Sequence, residues 1–222
     1  MEPRLTAIHE NEALLYLGYP GGALSPELMA DLARCRQTVL DTARPRAVWR
    51  EFPWDPDRPL RGTELTLQGR DVRALLSDCS RVILFGATLG AEIEALLRRS
   101  QITNMADAVI LDACASAAIE NVCDNLCADL QRELGGYLTD RFSPGYGDLP
   151  FSQQRLFCAV LDLPRRIGVS LSPGGLMIPQ KSVTALMGLS DRPQTKRFRG
   201  CAHCSQFKTC TYRKEGGGCG QF

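Results

Sequence analysis

The chain has 222 residues, 44% of them hydrophobic, which is enough to bury one sizeable core and carry an appendage. Lys and Arg total 26 against 25 Asp and Glu, so no overall positive field recommends nucleic acid as a partner. No run approaches the roughly 18 apolar residues of a spanning helix, and the acidic start MEPRLTAIHENE lacks the basic and apolar regions of a signal peptide, so a cytoplasmic chain with no membrane partner is expected.

The first forty-odd residues read as two helices, Glu10 to Leu17 and Pro26 to about Ala43, parted by the turn-rich GYPGGALS, with Ser25 as N-cap. RAVWREF and TELTL follow as two short strands joined by PWDPDRP; in the second, Leu65 and Leu67 alternate with polar neighbours. Asp71 to Leu76 suggests a helical turn or two. RVILFGATLG is an apolar run that reads as a central strand leading into a helix from Ala91 to Arg99.

From Thr103 to Leu134 the sequence has no Gly or Pro and carries a stripe of Ala, Ile, Leu and Cys, the pattern of a long core helix that GGY then stops. DRFSPGYGDLP is a stiff loop in which Arg141 offers a fixed fork for a carboxylate and Gly145 and Gly147 allow close backbone approach. Ser152 is placed as the cap of a helix through Asp162, and GVSLS, GLMIP and SVTALMGLS read as strands divided by Gly and Pro. The order of elements indicates an α+β fold with a mixed or antiparallel sheet and a long core helix. Residues 1–190 form its body, and 191–222, basic and then Cys-rich, form a separate tail.

Six of the ten cysteines, Cys35, Cys79, Cys114, Cys123, Cys127 and Cys158, are scattered through apolar segments, where cysteine acts as a small hydrophobe. Cys201, Cys204, Cys210 and Cys219 crowd together as C-x2-C-x5-C-x8-C, a set of four thiolates that suits a [4Fe–4S] cluster or, as the alternative, zinc. His203 could replace one thiolate. Lys196, Arg197, Arg199, Lys208, Arg213 and Lys214 around them would steer an acidic partner or keep the tail soluble.

The loop Arg141, Pro144, Gly145, Tyr146, Pro150 resembles the Arg-x-x-Pro-Gly-Tyr-x-x-x-Pro loop of the activation domain of vitamin B12-dependent methionine synthase. Gly168, Met177, Pro179, Ser182 and Val183 look like that family's following strand stretch, and Gly136-Tyr137 like the end of its long helix. The similarity covers about residues 105 to 190, and more weakly LLYLGY, RAVWREF and VILFGATLG, which look like the stand-alone activation subunits of some bacteria.

The resemblance implies S-adenosylmethionine as ligand, with Arg141 on its carboxylate, Glu120 on its ammonium, and Ser143, Gly145 and Tyr146 along the loop, Tyr146 near the corrin face. It implies reductive methylation of cob(II)alamin carried by a cobalamin-dependent methionine synthase or its corrinoid-binding domain. An electron donor such as flavodoxin or ferredoxin would serve that reaction, and this chain would contribute positioning with no acid or base of its own. The family has a tyrosine after its Ser-Val strand that LSDRPQTKRF lacks, which leaves the adenosine contacts open. Lys181 and Lys196 could approach the corrin's periphery. Two other readings are a non-catalytic, zinc-stabilised docking module for another corrinoid methyltransferase, and a nucleic-acid-binding zinc module, which the near-neutral charge disfavours.

Overall fold

The computed structural model describes residues 3–19 and 23–194. α1 (Glu10–Tyr16) and α2 (Pro26–Thr42) come first. The Ser25 hydroxyl accepts from the Leu28 N–H at 3.2 Å and Pro26 opens α2, so the expected cap is the one that forms. β1 (Arg46–Pro53), α3 (Arg70–Leu75), β2 (Arg81–Thr88) and α4 (Ala91–Thr103) follow.

Asn104 ends α4 and caps the 30-residue α5 (Met105–Leu134), its side-chain oxygen accepting from the Ala106 and Asp107 N–H groups at 3.1 and 3.3 Å. What reads as uninterrupted helix from Thr103 is therefore two helices meeting at a single extended residue. The chain continues through β3 (Tyr137–Leu138), α6 (Gln154–Leu161), α7 (Leu163–Ile167), β4 (Ser170–Leu171), β5 (Met177–Ile178) and β6 (Ser182–Ser190).

Four strands form one antiparallel sheet in the order β1-β2-β6-β3, while β4 and β5 make a separate hairpin. Both faces of the sheet are covered. Ile83, Phe85 and Ala87 of β2 point with Ala185, Met187 and Leu189 of β6 into a core shared with α1, α2, α4 and α5. Val82, Leu84 and Leu186 face a second core built with α3, α6 and α7. Burial on both sides is why RVILFGATLG is a continuous apolar run rather than an alternating one. Gly86 belongs to this packing, because a Cβ there would lie 2.7 Å from Leu163 Cδ2, where α7 crosses the sheet.

Two further expectations are corrected. TELTL is not a strand: Leu65 and Leu67 are buried as the alternation requires, but the segment's backbone closes a local turn, Leu60 N–H to Leu65 O at 2.8 Å, and Thr66 O accepts from the Gln153 amide. Ser152 does not cap α6; it sits inside a 3-10 turn, Phe151–Gln153, and α6 starts without a side-chain cap. β3 and α7 are too short to leave a periodic signal. No helix among the described residues is long and apolar enough to cross a membrane.

Candidate functional site

Asp112, Ser116, Glu120 and Asp124 recur every four residues on α5, which stacks them along one face of the helix. Each half of the row grips a cation from another segment. Lys181 Nζ, just ahead of β6, lies 2.9 Å from Asp112 Oδ1 and donates to the Ser116 hydroxyl at 2.9 Å. Arg141 Nη2 lies 2.7 Å from Glu120 Oε2 and Nη1 lies 2.6 Å from Asp124 Oδ1.

Arg141 is largely buried, its side chain 19% exposed. Burial opposes its charge, but the surrounding Cys123, Cys127, Glu120 and Asp124 outweigh it and raise the guanidinium's pKa further. Glu12 of α1 adds a third carboxylate to this neighbourhood. Its Oε2 is buried without a hydrogen-bond partner, and its pKa is raised by burial, opposed by His9, with Asp124 and Glu120 adding to the rise. Three carboxylates around one guanidinium leave surplus negative charge, which favours a cationic ligand.

The segment 141–150 is fastened at both ends. Phe142 exchanges backbone hydrogen bonds with Leu186 of β6 at 2.9 and 2.8 Å. The Asp148 carboxylate accepts from the Arg70 and Asp71 N–H groups, at 2.7 and 3.1 Å, and so caps α3 from a distance. Between these points the turn closes on itself, Tyr146 N–H to Ser143 O at 3.0 Å and Gly145 N–H to Leu149 O at 2.9 Å.

An open groove of about 510 Å³ lies between this loop, α5, the start of β6 and the β4–β5 hairpin. Glu120, Ser143 and Tyr146 line it, as do Gln154, Gln180 and Thr184. Of the residues expected at the site, Arg141 stands behind Glu120 and does not line the groove, and the Gly145 amide is engaged within the loop. Lys181 does not line the groove either; it is held by Asp112 and Ser116 of α5. Lys196, Cys201, Cys204, Cys210 and Cys219 lie outside the described residues.

Glu12, Asp124, Phe151, Gln154 and Gln180 were not singled out by sequence. The four-residue spacing from Asp112 to Asp124 was the available signal for Asp124. Cys35, Cys114, Cys123 and Cys158 are buried thiols, and burial pushes Cys158 up to about 11. Among the described residues no group of three or more His, Cys, Asp or Glu is arranged to hold a metal.

A four-stranded antiparallel sheet clasped between a long-helix layer and a second layer of short helices, with the loop after the long helix folded onto the last strand, defines an α+β class to which solved structures belong. The chain is similar to the crystal structure of the MetH reactivation domain bound to AdoHcy, with a TM-score of 0.58 and 15% identity over 82% of this chain and 74% of that one. The two therefore share a fold. No protein-family model matches the sequence, and no curated protein does.

Proposed function

We propose that the chain binds S-adenosylmethionine in the groove and acts as the reactivation subunit of a cobalamin-dependent methionine synthase, supporting reductive methylation of cob(II)alamin carried by that partner. The observation that carries this reading is Glu120 at the wall of a groove on this fold with Arg141 paired directly behind it at 2.7 Å, a carboxylate and a guanidinium within reach of each other for a ligand that carries both an ammonium and a carboxylate.

Glu120, at the groove surface, takes the ammonium, and the negative charge of Glu12 nearby favours the sulfonium. Arg141 takes the carboxylate through its remaining donors or by releasing Asp124, the more exposed partner at 53%. Ser143, Gly145 and Tyr146 shape the loop wall. The partner's reduced corrinoid would supply the nucleophile that accepts the methyl group, S-adenosylhomocysteine leaving with the electron pair of the broken carbon–sulfur bond, and Glu120 and Arg141 would hold the methionine end in line for it. No proton moves, so the chain contributes alignment rather than acid–base chemistry.

Making cob(I)alamin takes one electron from a donor such as flavodoxin or ferredoxin. The Cys201, Cys204, Cys210 and Cys219 spacing supports a [4Fe–4S] cluster, with zinc the alternative; a cluster would supply a low-potential electron route. A cytoplasmic location fits this chemistry.

The test mixes the chain with a cob(II)alamin-loaded synthase, S-adenosylmethionine and a reductant, and follows methylcobalamin by absorbance. Methylation that requires the chain and is slowed by Glu120→Gln supports the proposal. Equal methylation with the chain omitted overturns it.

A further inference from the structure

Phe151 is an aromatic side chain that lines the groove yet is 46% exposed. Its ring is held between two loops at glycines. A Cβ on Gly145 would lie 3.4 Å from Phe151 Cδ2, and one on Gly175 would lie 3.0 Å from Cε1, so the ring packs closely against bare backbone at two points. Both glycines have positive φ, 95° and 87°, which lets each loop turn this close to the ring. A fixed, half-exposed ring at the wall of a groove is a platform for a flat ligand.

Two amides stand in the same groove. Gln154 is 4% exposed, and its Oε1 accepts from the Thr184 hydroxyl at 3.0 Å, which leaves the NH2 as its donor towards the groove. Gln180 is exposed and lines the groove, and its backbone N–H donates to Glu94 Oε2 at 2.9 Å, so α4 fixes the residue's backbone. A side-chain amide presents a donor beside an acceptor, the complement of the adenine N6 and N7 edge.

We infer that Phe151 is the stacking platform for the adenine of the bound ligand and that Gln180, with the Gln154 NH2, reads the base's edge. This rests on the proposed binding of S-adenosylmethionine and extends it to the adenosine end, for which the stretch LSDRPQTKRF after the Ser-Val strand offers no tyrosine. The methionine end lies towards Glu120 and the base towards the β4–β5 hairpin. Tyr146, 67% exposed and touching Phe142 edge-on with centroids 6.4 Å apart, stays at the outer rim.

Calorimetric titration of the full chain with S-adenosylmethionine, 5′-methylthioadenosine and 5′-methylthioinosine tests this. Phe151→Leu should weaken the first two ligands about tenfold, the effect of losing one base–aromatic stack, while Phe151→Tyr restores them. Gln180→Leu, a change at an exposed side chain, should erase a preference for adenosine over inosine. Circular dichroism and melting confirm that each variant is folded. If the wild type binds S-adenosylmethionine and both variants bind all three ligands as it does, the base lies elsewhere and the inference fails while the functional reading stands. If the wild type binds none of the three, both fail.

Discussion

Arg141 Nη2 and Glu120 Oε2 are 2.7 Å apart, so the two side chains assigned to opposite charges of one ligand are each other's partner in its absence. A ligand with both charges exchanges one ion pair for two at little desolvation cost, since neither protein charge was in open water. Arg141→Ala should therefore weaken S-adenosylmethionine by about 1.5 to 3 kcal/mol, the range for hydrogen bonds to charged groups. Asp124→Asn, which removes the competitor for Nη1, should leave affinity equal or higher. A loss at Asp124 matching that at Arg141 would assign the carboxylate role elsewhere.

Glu12 gives the site a pH dependence. Its pKa lies above the ordinary 4.5 because of burial, with His9 opposing and the Asp124 and Glu120 carboxylates adding to the rise. Only its ionised form attracts a cation, so affinity should rise as pH increases through that raised value and level off above it. Ionised Glu12 also costs the fold stability. Glu12→Gln should raise the melting temperature at neutral pH, with a gain that shrinks as pH falls through the raised value and is gone below the ordinary 4.5, and should flatten the binding profile. Titrations between pH 4.5 and 8 check both.

Asp148 ties the loop to α3. Burial opposes its ionisation, but the Arg70 and Asp71 N–H groups outweigh it and lower its pKa from the usual 3.8. Its contribution to stability is thus present above that value and lost as pH falls through the lowered one. Asp148→Ala should cost about 1 kcal/mol, as for a lost N-cap, and weaken the ligand by loosening the segment that carries Ser143. Denaturant melts at pH 7 measure the first effect.

The cysteine tail yields a visual prediction. Protein purified without oxygen should be brown, with a visible absorbance that Cys201→Ser and Cys204→Ser abolish, as expected for thiolate-held iron and sulfide. A colourless protein containing about one zinc per chain would assign the four thiolates to zinc.

The long helix, the central strands and the loop at Arg141 were legible because each has a local cause: helix-forming runs without Gly or Pro, a doubly buried apolar run, and prolines beside glycines. TELTL misled because alternation reports which side chains are buried, while strand pairing depends on a neighbour's backbone; here a local turn and the Gln153 side chain take that role. Ser152 misled because the turn from Phe151 to Gln153 delays the start of α6. At the site, Glu120 and Arg141 could be named, but their mutual pairing could not, since it depends on segments 21 residues apart folding onto one helix face. Glu12, Phe151 and Gln180 left no signal because each becomes notable only through what surrounds it.

The most direct measurement is a calorimetric titration of the full chain with S-adenosylmethionine, alongside Glu120→Gln. The account predicts saturable binding at one site per chain, weakened about tenfold or more by the substitution, as loss of a charge-assisted hydrogen bond implies. No heat with the wild type, or equal affinity in the variant, would contradict the central claim that this groove holds the ligand by its charged end.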